Sequence, residues 1–405
     1  MGPLVLVVAL VAHVATIAVW TRAHWGMIDL EVYQAGGATV VHGTPLYDAG
    51  VVADLKFTYP PFAALLFAPL AFLPLWGLRI VWTLANLALL VYVVWQCGRH
   101  LGMRADTRLL GLTMMLTGLA FWLVPVRTTF YLGQINIVLL ALVAWDLLGR
   151  RRSGWQGVGV GIAAAIKLTP LIFIVYLAIT RRIRAACVAV VAFAATVVAS
   201  FVLVPSDAVK YWLHGTFAAA DRVADVAAIG NQSLRGMLER FAAGEAASPW
   251  VWLASTGMVG VLGLAVASST HRRGHELLGL TLCGLCATVV SPFSWQHHWV
   301  WFAPLLVFLV HRAITGSSSC WGLAAVLYVA TFAWLTDFPS PSSGLIPNSG
   351  LVSLEPDQPV LAFLTGNAYV LVFVGALGLT AWWLRRETSR LLETDDFLNG
   401  QRQFR

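Results

Sequence analysis

The sequence predicts an all-α protein that crosses a membrane many times. Of its 405 residues, 59% are apolar and only 11% are charged, and the mean hydropathy is +0.77. A water-soluble chain carries about 25% charged residues because its surface faces water. Long apolar runs recur along the chain between basic and acidic loops. At ~20 residues per span, they allow about 10–12 membrane segments, some of them re-entrant or half-length.

The distribution of charge sets the predicted topology. Arg and Lys are enriched in the cytoplasmic loops of membrane proteins, so the basic clusters are expected on the cytoplasmic side, at residues 99–108, 150–152, 181–184, 271–275, 311–312 and 385–390. The acidic and polar loops then lie outside, at residues 21–60, 126–134, 205–249, 291–298 and 336–365. Residues 1–386 form one transmembrane domain, and the polar stretch 387–405 is expected to be a disordered cytoplasmic tail.

Two apolar stretches do not fit simple spans. Residues 157–180 separate two basic clusters that both belong inside, so a single crossing would put one of them on the wrong side. Lys167 and Pro170 interrupt this stretch, which predicts two half-helices that enter the membrane and return. Residues 62–73, ending before Pro74, predict an interfacial or re-entrant segment. Irregular backbone at membrane depth survives only inside protein or beside a wet cavity, so both stretches indicate a nearby site.

Two carboxylates, Asp29 and Glu31, follow the first span directly. They are consistent with the acidic first turn of a solvated interfacial helix, which the helix dipole favours. Alternatively, one of them faces a cavity as a general base, since a carboxylate with a pKa of ~3.9 is ionised at neutral pH.

Further polar residues cluster in the predicted outer loops. Arg127 runs against the positive-inside bias, so it either binds a lipid-linked phosphate or extends to the headgroups. Asn231 and Gln232 either bind sugar hydroxyls or help to cap the next helix, and the cap suits Ser233 best. The pair His297 and His298 stands beside Trp295, as expected of a site where an aromatic face stacks on a sugar and imidazoles donate hydrogen bonds. Adjacent His side chains diverge on a helix, so no metal is assigned.

Several other functions lack their sequence signatures. There is no Asp-x-Asp cluster to hold a divalent ion on a nucleotide sugar and no Rossmann or P-loop glycine motif, so no cofactor is expected. Cys283 and Cys286 lie within an apolar run and are interpreted as packing residues. The net charge of +7 comes mostly from the topogenic Arg clusters, so it does not indicate a nucleic-acid partner.

An ordered set of short motifs resembles the bacterial α-(1→2)-mannosyltransferases of glycosyltransferase family 87, which have the multi-span GT-C architecture. The motifs are Asp29-Leu30-Glu31-Val32-Tyr33, His42-Gly43-Thr44-Pro45-Leu46-Tyr47, Phe57-Thr58-Tyr59-Pro60-Pro61-Phe62, Leu132-Gly133-Gln134-Ile135-Asn136, Lys167-Leu168-Thr169-Pro170, Asn231-Gln232-Ser233 and Ser294-Trp295-Gln296-His297-His298. They cover most of the chain, and the C-terminal quarter contributes little.

The resemblance implies a multi-pass enzyme of a bacterial inner membrane that acts on its periplasmic face. Its donor would be polyprenyl-phosphate mannose, and its acceptor a mannosylated glycolipid such as a phosphatidylinositol mannoside or lipomannan. Asp29 matches the acidic residue held to be the catalytic base of GT-C enzymes. The other motif residues are expected to bind substrate, namely Glu31, Tyr33, Tyr59, Arg127, Gln134, Asn136, Lys167, Asn231, Gln232, Trp295, His297 and His298.

The implied reaction is a single inverting displacement in which the acceptor 2-hydroxyl attacks the anomeric carbon. His297, His298, Arg127 and Lys167 are the candidates to stabilise the leaving phosphate. Two alternatives remain open at the level of sequence. One is an arabinosyltransferase that uses the same type of carrier, and the other is a flippase or transporter of lipid-linked sugars, which would need no carboxylate base.

Overall fold

The computed structural model describes residues 1–20, 26–149, 154–218, 225–242, 247–335, 349–354 and 356–403. The predicted basic cluster at 150–152 and parts of the predicted outer loops lie outside these residues. Within them the chain is almost entirely helical, and one small antiparallel hairpin pairs β1 (Gly50–Val52) with β2 (Leu55–Lys56).

The first half of the chain contains nine α-helices among the described residues. They are α1 (Gly2–Trp20), α2 (Ile28–His42), α3 (Pro61–Phe67), α4 (Leu75–His100), α5 (Thr107–Phe121), α6 (Val124–Leu132), α7 (Asn136–Leu148), α8 (Val158–Ile166) and α9 (Ile172–Ile179). The described part of the second half contains nine more. They are α10 (Ile183–Leu203), α11 (Pro205–Trp212), α12 (Leu234–Phe241), α13 (Pro249–Arg272), α14 (Glu276–Val290), α15 (Phe302–Ile314), α16 (Ser319–Thr331), α17 (Pro359–Gly366) and α18 (Ala368–Gln403).

Membrane-length helices are present as predicted. Within the described ranges, α4, α10, α13 and the first part of α18 are long and apolar enough to cross a membrane. The pair α6 and α7 reaches this length only together and is bent by 118°. Six further apolar segments are shorter than a full span. The prediction of an all-α polytopic fold with half-length segments is confirmed.

The helices α1 and α5 run parallel, as the predicted topology requires. Gly2 packs against the backbone of Gly111, and Gly118 packs against Leu6. Further along, the indole nitrogen of Trp122 donates to the carbonyl of Ala9. Both helices therefore begin on the same side of the membrane, which is the side of the basic cluster 99–108.

The stretch 157–180 forms the predicted pair of half-helices. The start of α8 contacts the start of α10, because Gly157 packs against the backbone of Ala185, and Gly161 packs against Ala189 one turn further on. The end of α9 returns to the start of α10 through a tight turn at 180–182, where the Arg182 amide donates to the carbonyl of Leu177. Both ends of the hairpin thus lie beside the same end of α10, and its tip at Lys167 is half-buried in the protein.

The first outer loop packs α2 onto α3. Pro61 is the first residue of α3 and Pro60 is its N-cap, where the missing amide hydrogens cost nothing. A short 3-10 helix, Ala68–Phe72, follows before α4 begins, so residues 62–73 consist of two short helices, and their interfacial or re-entrant placement stays a prediction. The approach of α2 is close: a β-carbon on Gly36 would lie 2.4 Å from the Phe57 ring, and one on Gly37 would lie 2.3 Å from the Phe67 carbonyl oxygen.

The C-terminal stretch differs from its prediction. Instead of ending near residue 386, α18 continues to Gln403, where a disordered tail was expected. The reason lies in its composition, since Arg, Glu and Leu favour helix and residues 387–396 contain neither Gly nor Pro. The polar part of α18 therefore extends the last membrane helix.

Candidate active site

The site is built around Asp29 in the first turn of α2. Protein surrounds its carboxylate, although part of the side chain stays accessible to water. Burial raises the pKa of Asp29 to about 6, while a hydrogen bond from Gln134 and the positive charge of Lys167 oppose this rise. A carboxylate in this position is mostly ionised at neutral pH and can accept a proton from a group that enters the accessible space.

Two tyrosines and Gln134 form a buried hydrogen-bond network next to Asp29. The Tyr33 hydroxyl lies 2.9 Å from the Tyr59 hydroxyl and donates to Oε1 of Gln134 at 3.0 Å. The Tyr47 hydroxyl stabilises this arrangement by donating to the Tyr59 carbonyl at 2.7 Å. With Oε1 occupied by the tyrosines, the amide nitrogen of Gln134 is oriented to donate to Asp29.

The turn between α6 and α7 presents Gln134 and Asn136 to this network. Gly133 ends α6 with φ of 72°, a left-handed conformation that glycine adopts without strain. Its α-carbon also sits against α2, because a β-carbon there would lie 2.7 Å from the β-carbon of Leu30. The 118° bend between α6 and α7 thus places Gln134 where it hydrogen-bonds to Asp29, with the Asn136 amide 3.4 Å from Oε1 of Gln134.

Lys167 stands at the tip of the re-entrant hairpin. It ends α8 with an extended backbone, and its ammonium donates to Oδ1 of Asn136 at 3.2 Å. The same nitrogen lies 2.8 Å from Nε2 of His298 and 5.7 Å from the centre of the Tyr59 ring. One cation thereby joins three separate segments of the chain in front of Asp29.

The two histidines belong to a short 3-10 helix, Gln296–Trp299. Their rings are 4.8 Å apart at centroid, and His297 stacks on Trp295 at 6.4 Å. Burial and then the charge of Lys167 hold the pKa of both imidazoles well below its ordinary value. Nδ1 of His298 and Nε2 of His297 are buried without a partner among the described residues.

The model for glycosyltransferase family 87 matches residues 57–292, more than half of the chain. The chain belongs to glycosyltransferase family 87. Relatives of this family 87 chain include a "polyprenol-phosphate-mannose-dependent alpha-(1-2)-phosphatidylinositol pentamannoside mannosyltransferase" of Mycobacterium tuberculosis (strain CDC 1551 / Oshkosh). It is 36% identical over 368 residues, which cover 87% of this chain and 81% of the relative.

A protein of the same description from Mycolicibacterium smegmatis is 34% identical over 394 residues, covering 94% of this chain and 91% of that one. A "phosphatidylinositol mannoside mannosyltransferase" with the same named donor, from Mycobacterium tuberculosis (strain ATCC 25618 / H37Rv), is 34% identical over 69% of each chain. No solved structure matches the chain significantly. The predicted enzyme class, a membrane glycosyltransferase, is confirmed.

Most of the residues singled out in the sequence of this family 87 chain meet in one place. The network joins Asp29, Tyr33, Tyr59, Gln134, Asn136, Lys167, Trp295, His297 and His298. These residues come from five separate parts of the sequence. Their roles toward substrate remain predictions.

Two predicted binding residues have protein partners elsewhere. Glu31 points away from Asp29 and forms an ion pair with Arg79 of α4. Arg127 is 7% exposed, donates to the Thr16 hydroxyl at 2.9 Å and lies over the ring of Trp122. Both contacts join neighbouring helices, so each side chain has a packing role where it stands.

Asn231 and Gln232 are fully buried. Both form hydrogen bonds with residues 291–299, the segment that carries His297 and His298 (the histidine segment). Oδ1 of Asn231 accepts from the Ser294 amide at 2.9 Å, and the Gln232 amide donates to the Ser294 carbonyl at 2.7 Å. The Gln232 side chain donates to the Gly366 carbonyl at 2.7 Å. Ser233 caps α12 through the Gly236 amide at 3.0 Å, as the sequence suggested. The two amides thus contact protein backbone and are not exposed to a ligand.

One functional carboxylate was missed at the level of sequence. Asp146, inside the apolar run of α7, accepts hydrogen bonds from the amides of Gly157 and Val160 at 2.9–3.0 Å. It therefore caps α8 from another helix and fixes the hairpin that carries Lys167. The sequence alone could have indicated this role, because a carboxylate within an apolar span is energetically costly unless it has partners.

The described residues contain no group of three or more His, Cys, Asp and Glu side chains placed to hold a metal ion. Asp29, His297 and His298 stand near one another, but Lys167 lies among them. A cation in that position repels a metal and attracts an anion.

Proposed function

We propose that the protein transfers mannose from polyprenyl-phosphate mannose to the 2-hydroxyl of a mannose on a phosphatidylinositol mannoside. The observation that carries this proposal is the facing arrangement of a partly accessible carboxylate, Asp29, and a cation, Lys167, within one buried polar network. The named donor and acceptor class of the mycobacterial relatives supports the choice of substrates.

Asp29 acts as the general base. It accepts the proton of the acceptor hydroxyl as that oxygen forms a bond to the anomeric carbon of the donor. The bond from this carbon to the phosphate oxygen breaks on the opposite face, so a β-linked mannosyl phosphate gives an α-linked product. A single displacement of this type inverts the configuration.

The leaving group departs as polyprenyl phosphate and carries the electron pair of the broken bond. Its negative charge needs stabilisation more than protonation, because a phosphate is already a weak base. Lys167 provides a positive charge, and the unpaired nitrogens of His297 and His298 provide neutral hydrogen-bond donors. Groups fixed in advance toward developing charge are often the largest catalytic term.

The site faces the outer side of a bacterial plasma membrane in this proposal. The basic clusters at 99–108 and 181–184 mark the cytoplasmic side under the positive-inside bias. Lys167 lies at the far end of a hairpin that begins and ends at the second of these clusters, and α2 lies in the opposite outer loop.

The test is a transfer assay with the full chain reconstituted in liposomes. The donor is polyprenyl-phosphate [14C]mannose, the acceptors are phosphatidylinositol mannosides of defined mannose number, and the linkage of the product is read by NMR. An α-(1→2) product supports the proposal. Movement of intact donor across the bilayer without transfer, or transfer only from a polyprenyl-phosphate arabinose donor, would overturn it.

The role of Asp29 is tested by Asp29→Asn, which keeps the shape and removes the base. We expect a loss of at least ~10²-fold in kcat. The matched control is Glu31→Gln, which removes a carboxylate of the same helix that is ion-paired to Arg79, and a loss within about tenfold is expected. Equal effects of the two substitutions would show that Asp29 is not the base.

A further inference from the structure

A large apolar groove runs between α15, α16 and α18, on a part of the molecule separate from the Asp29 network. Its volume is about 490 Å³, within the ~300–1,000 Å³ range of pockets that bind small molecules. Leu309, Leu323 and Leu371 are typical of its walls. Small residues in the middle of the α18 lining, Gly375 and Ala376, leave room there, and a β-carbon on Gly375 would meet no atom within 4 Å.

One end of the groove is polar and cationic. Arg312 lies there with Ser317 and Ser319, and its guanidinium rests over the Trp383 ring at 5.4 Å. In the described part of the chain, no carboxylate forms an ion pair with Arg312. The neighbouring acid, Glu387, pairs instead with His275 at 3.9 Å. A half-buried cation without an acidic partner at the mouth of an apolar groove fits an anionic ligand with a hydrocarbon chain.

The position of this end within the membrane identifies the class of ligand. Arg312 belongs to the predicted cytoplasmic cluster 311–312, and Trp382 and Trp383 stand beside it, as tryptophans do at headgroup level. Anionic lipids of the cytoplasmic leaflet attract basic residues at this depth. We propose that the groove binds one anionic phospholipid of this leaflet, with its phosphate on Arg312 and an acyl chain along α18.

This inference goes beyond the proposed function, because the site is distinct from the Asp29 network and binds a lipid that is not consumed. It predicts a chemical preference as well as occupancy. A lipid with an anionic headgroup should bind more tightly than a zwitterionic lipid with identical chains. The factor expected is about fivefold, which corresponds to ~1 kcal/mol for one basic residue at a charged lipid surface.

The test is native mass spectrometry of the full chain in detergent, titrated with phosphatidylglycerol or with phosphatidylcholine of the same acyl chains. Arg312→Gln should abolish the preference for phosphatidylglycerol. Arg386→Gln is the matched control, because Arg386 also rests on a tryptophan, Trp382, but is exposed and does not line the groove. A preference that survives in Arg312→Gln, or is lost equally in both variants, would overturn the proposal.

Occupancy of the groove is tested by filling it. Gly375→Leu places a side chain in the open space, so it should reduce bound phosphatidylglycerol at least fivefold without unfolding the protein. Gly378→Leu is the control, since that glycine on the same helix is also free of close neighbours but does not line the groove. Unchanged lipid binding in Gly375→Leu, or displacement of phosphatidylglycerol by equimolar polyprenyl phosphate, would contradict an inner-leaflet phospholipid site.

Discussion

The side-chain nitrogen of Lys167 lies 2.8 Å from Nε2 of His298. Burial and the lysine charge lower the pKa of the imidazole, which favours a neutral ring; when the lysine is protonated, its ammonium donates to Nε2 and the ring proton is on Nδ1. That Nδ1 is buried and has no partner among the described residues. The contact therefore joins the lysine nitrogen to an imidazole that has one further nitrogen without a protein partner in the described part of the chain.

Replacing Lys167 with Met should lower kcat by about 10²-fold, because a charge that stabilises the leaving phosphate is lost. It should also move the acid limb of the pH–rate profile upward, since the charge of Lys167 lowers the pKa of Asp29. The measurement is transfer rate against pH in both proteins. Lys210→Met is the control, because Lys210 pairs with Asp48 in the outer loops. An acid limb that stays in place would contradict the coupling.

The pH dependence of the unmodified protein follows from the pKa of Asp29, which burial raises to about 6. The base works only as a carboxylate, so kcat/KM should fall about tenfold per pH unit below about 6. Transfer should be measured from pH 4.5 to 8 with a pH-independent donor concentration. The residual activity of Asp29→Asn should lack this limb. A limb near pH 4 would instead indicate a solvated carboxylate.

The sequence was sufficient to predict the polar network, for a physical reason. In a chain with only 11% charged residues, every ionisable group inside an apolar stretch is conspicuous. Lys167 and its hairpin followed from two basic clusters that cannot lie on opposite sides of the membrane. The half-length helices followed from the same argument, without any knowledge of their neighbours.

Pairing between distant residues could not be predicted in this way. The local sequence pattern does not distinguish Glu31 from Asp29. What distinguishes them is the ion pair of Glu31 with Arg79, which lies 48 positions further along the chain. In the sequence, Asn231 is indistinguishable from an amide that binds sugar. Its acceptor oxygen is occupied, however, by a backbone amide 63 positions away. These distinctions depend on tertiary contacts, which local composition does not encode.

Asn231 is expected to act on the reaction through the histidine segment and not through contact with sugar. Asn231→Ala removes the acceptor of the Ser294 amide, so residues 291–299 should exchange amide hydrogens faster and kcat should fall. In a double-mutant cycle with His298→Ala, the double variant should be no slower than His298→Ala alone. Asn86→Ala, a buried amide on α4, is the control and should leave both readouts unchanged. Additive losses would mean that Asn231 contacts substrate directly.

Gly133 is expected to set the distance between Asp29 and Gln134. Gly133→Ala forces a side chain into a left-handed conformation, at about 1–2 kcal/mol, and brings its β-carbon to 2.7 Å from Leu30 and 3.1 Å from Met27. Gly43→Ala carries the same backbone penalty, with φ of 68°, but meets no atom within 4 Å. Thermal unfolding should therefore show a loss of stability in both variants, larger in Gly133→Ala.

Transfer activity separates the two glycines further. Because Met27 and Leu30 flank Asp29 on α2, their displacement should move the carboxylate and lower kcat of Gly133→Ala by about tenfold or more, since small misplacements of a catalytic group are costly. Gly43→Ala should keep the kcat of the unmodified protein at a temperature where both variants are folded. Equal kcat values for the two variants would mean that the close approach of α6 to α2 does not position Asp29.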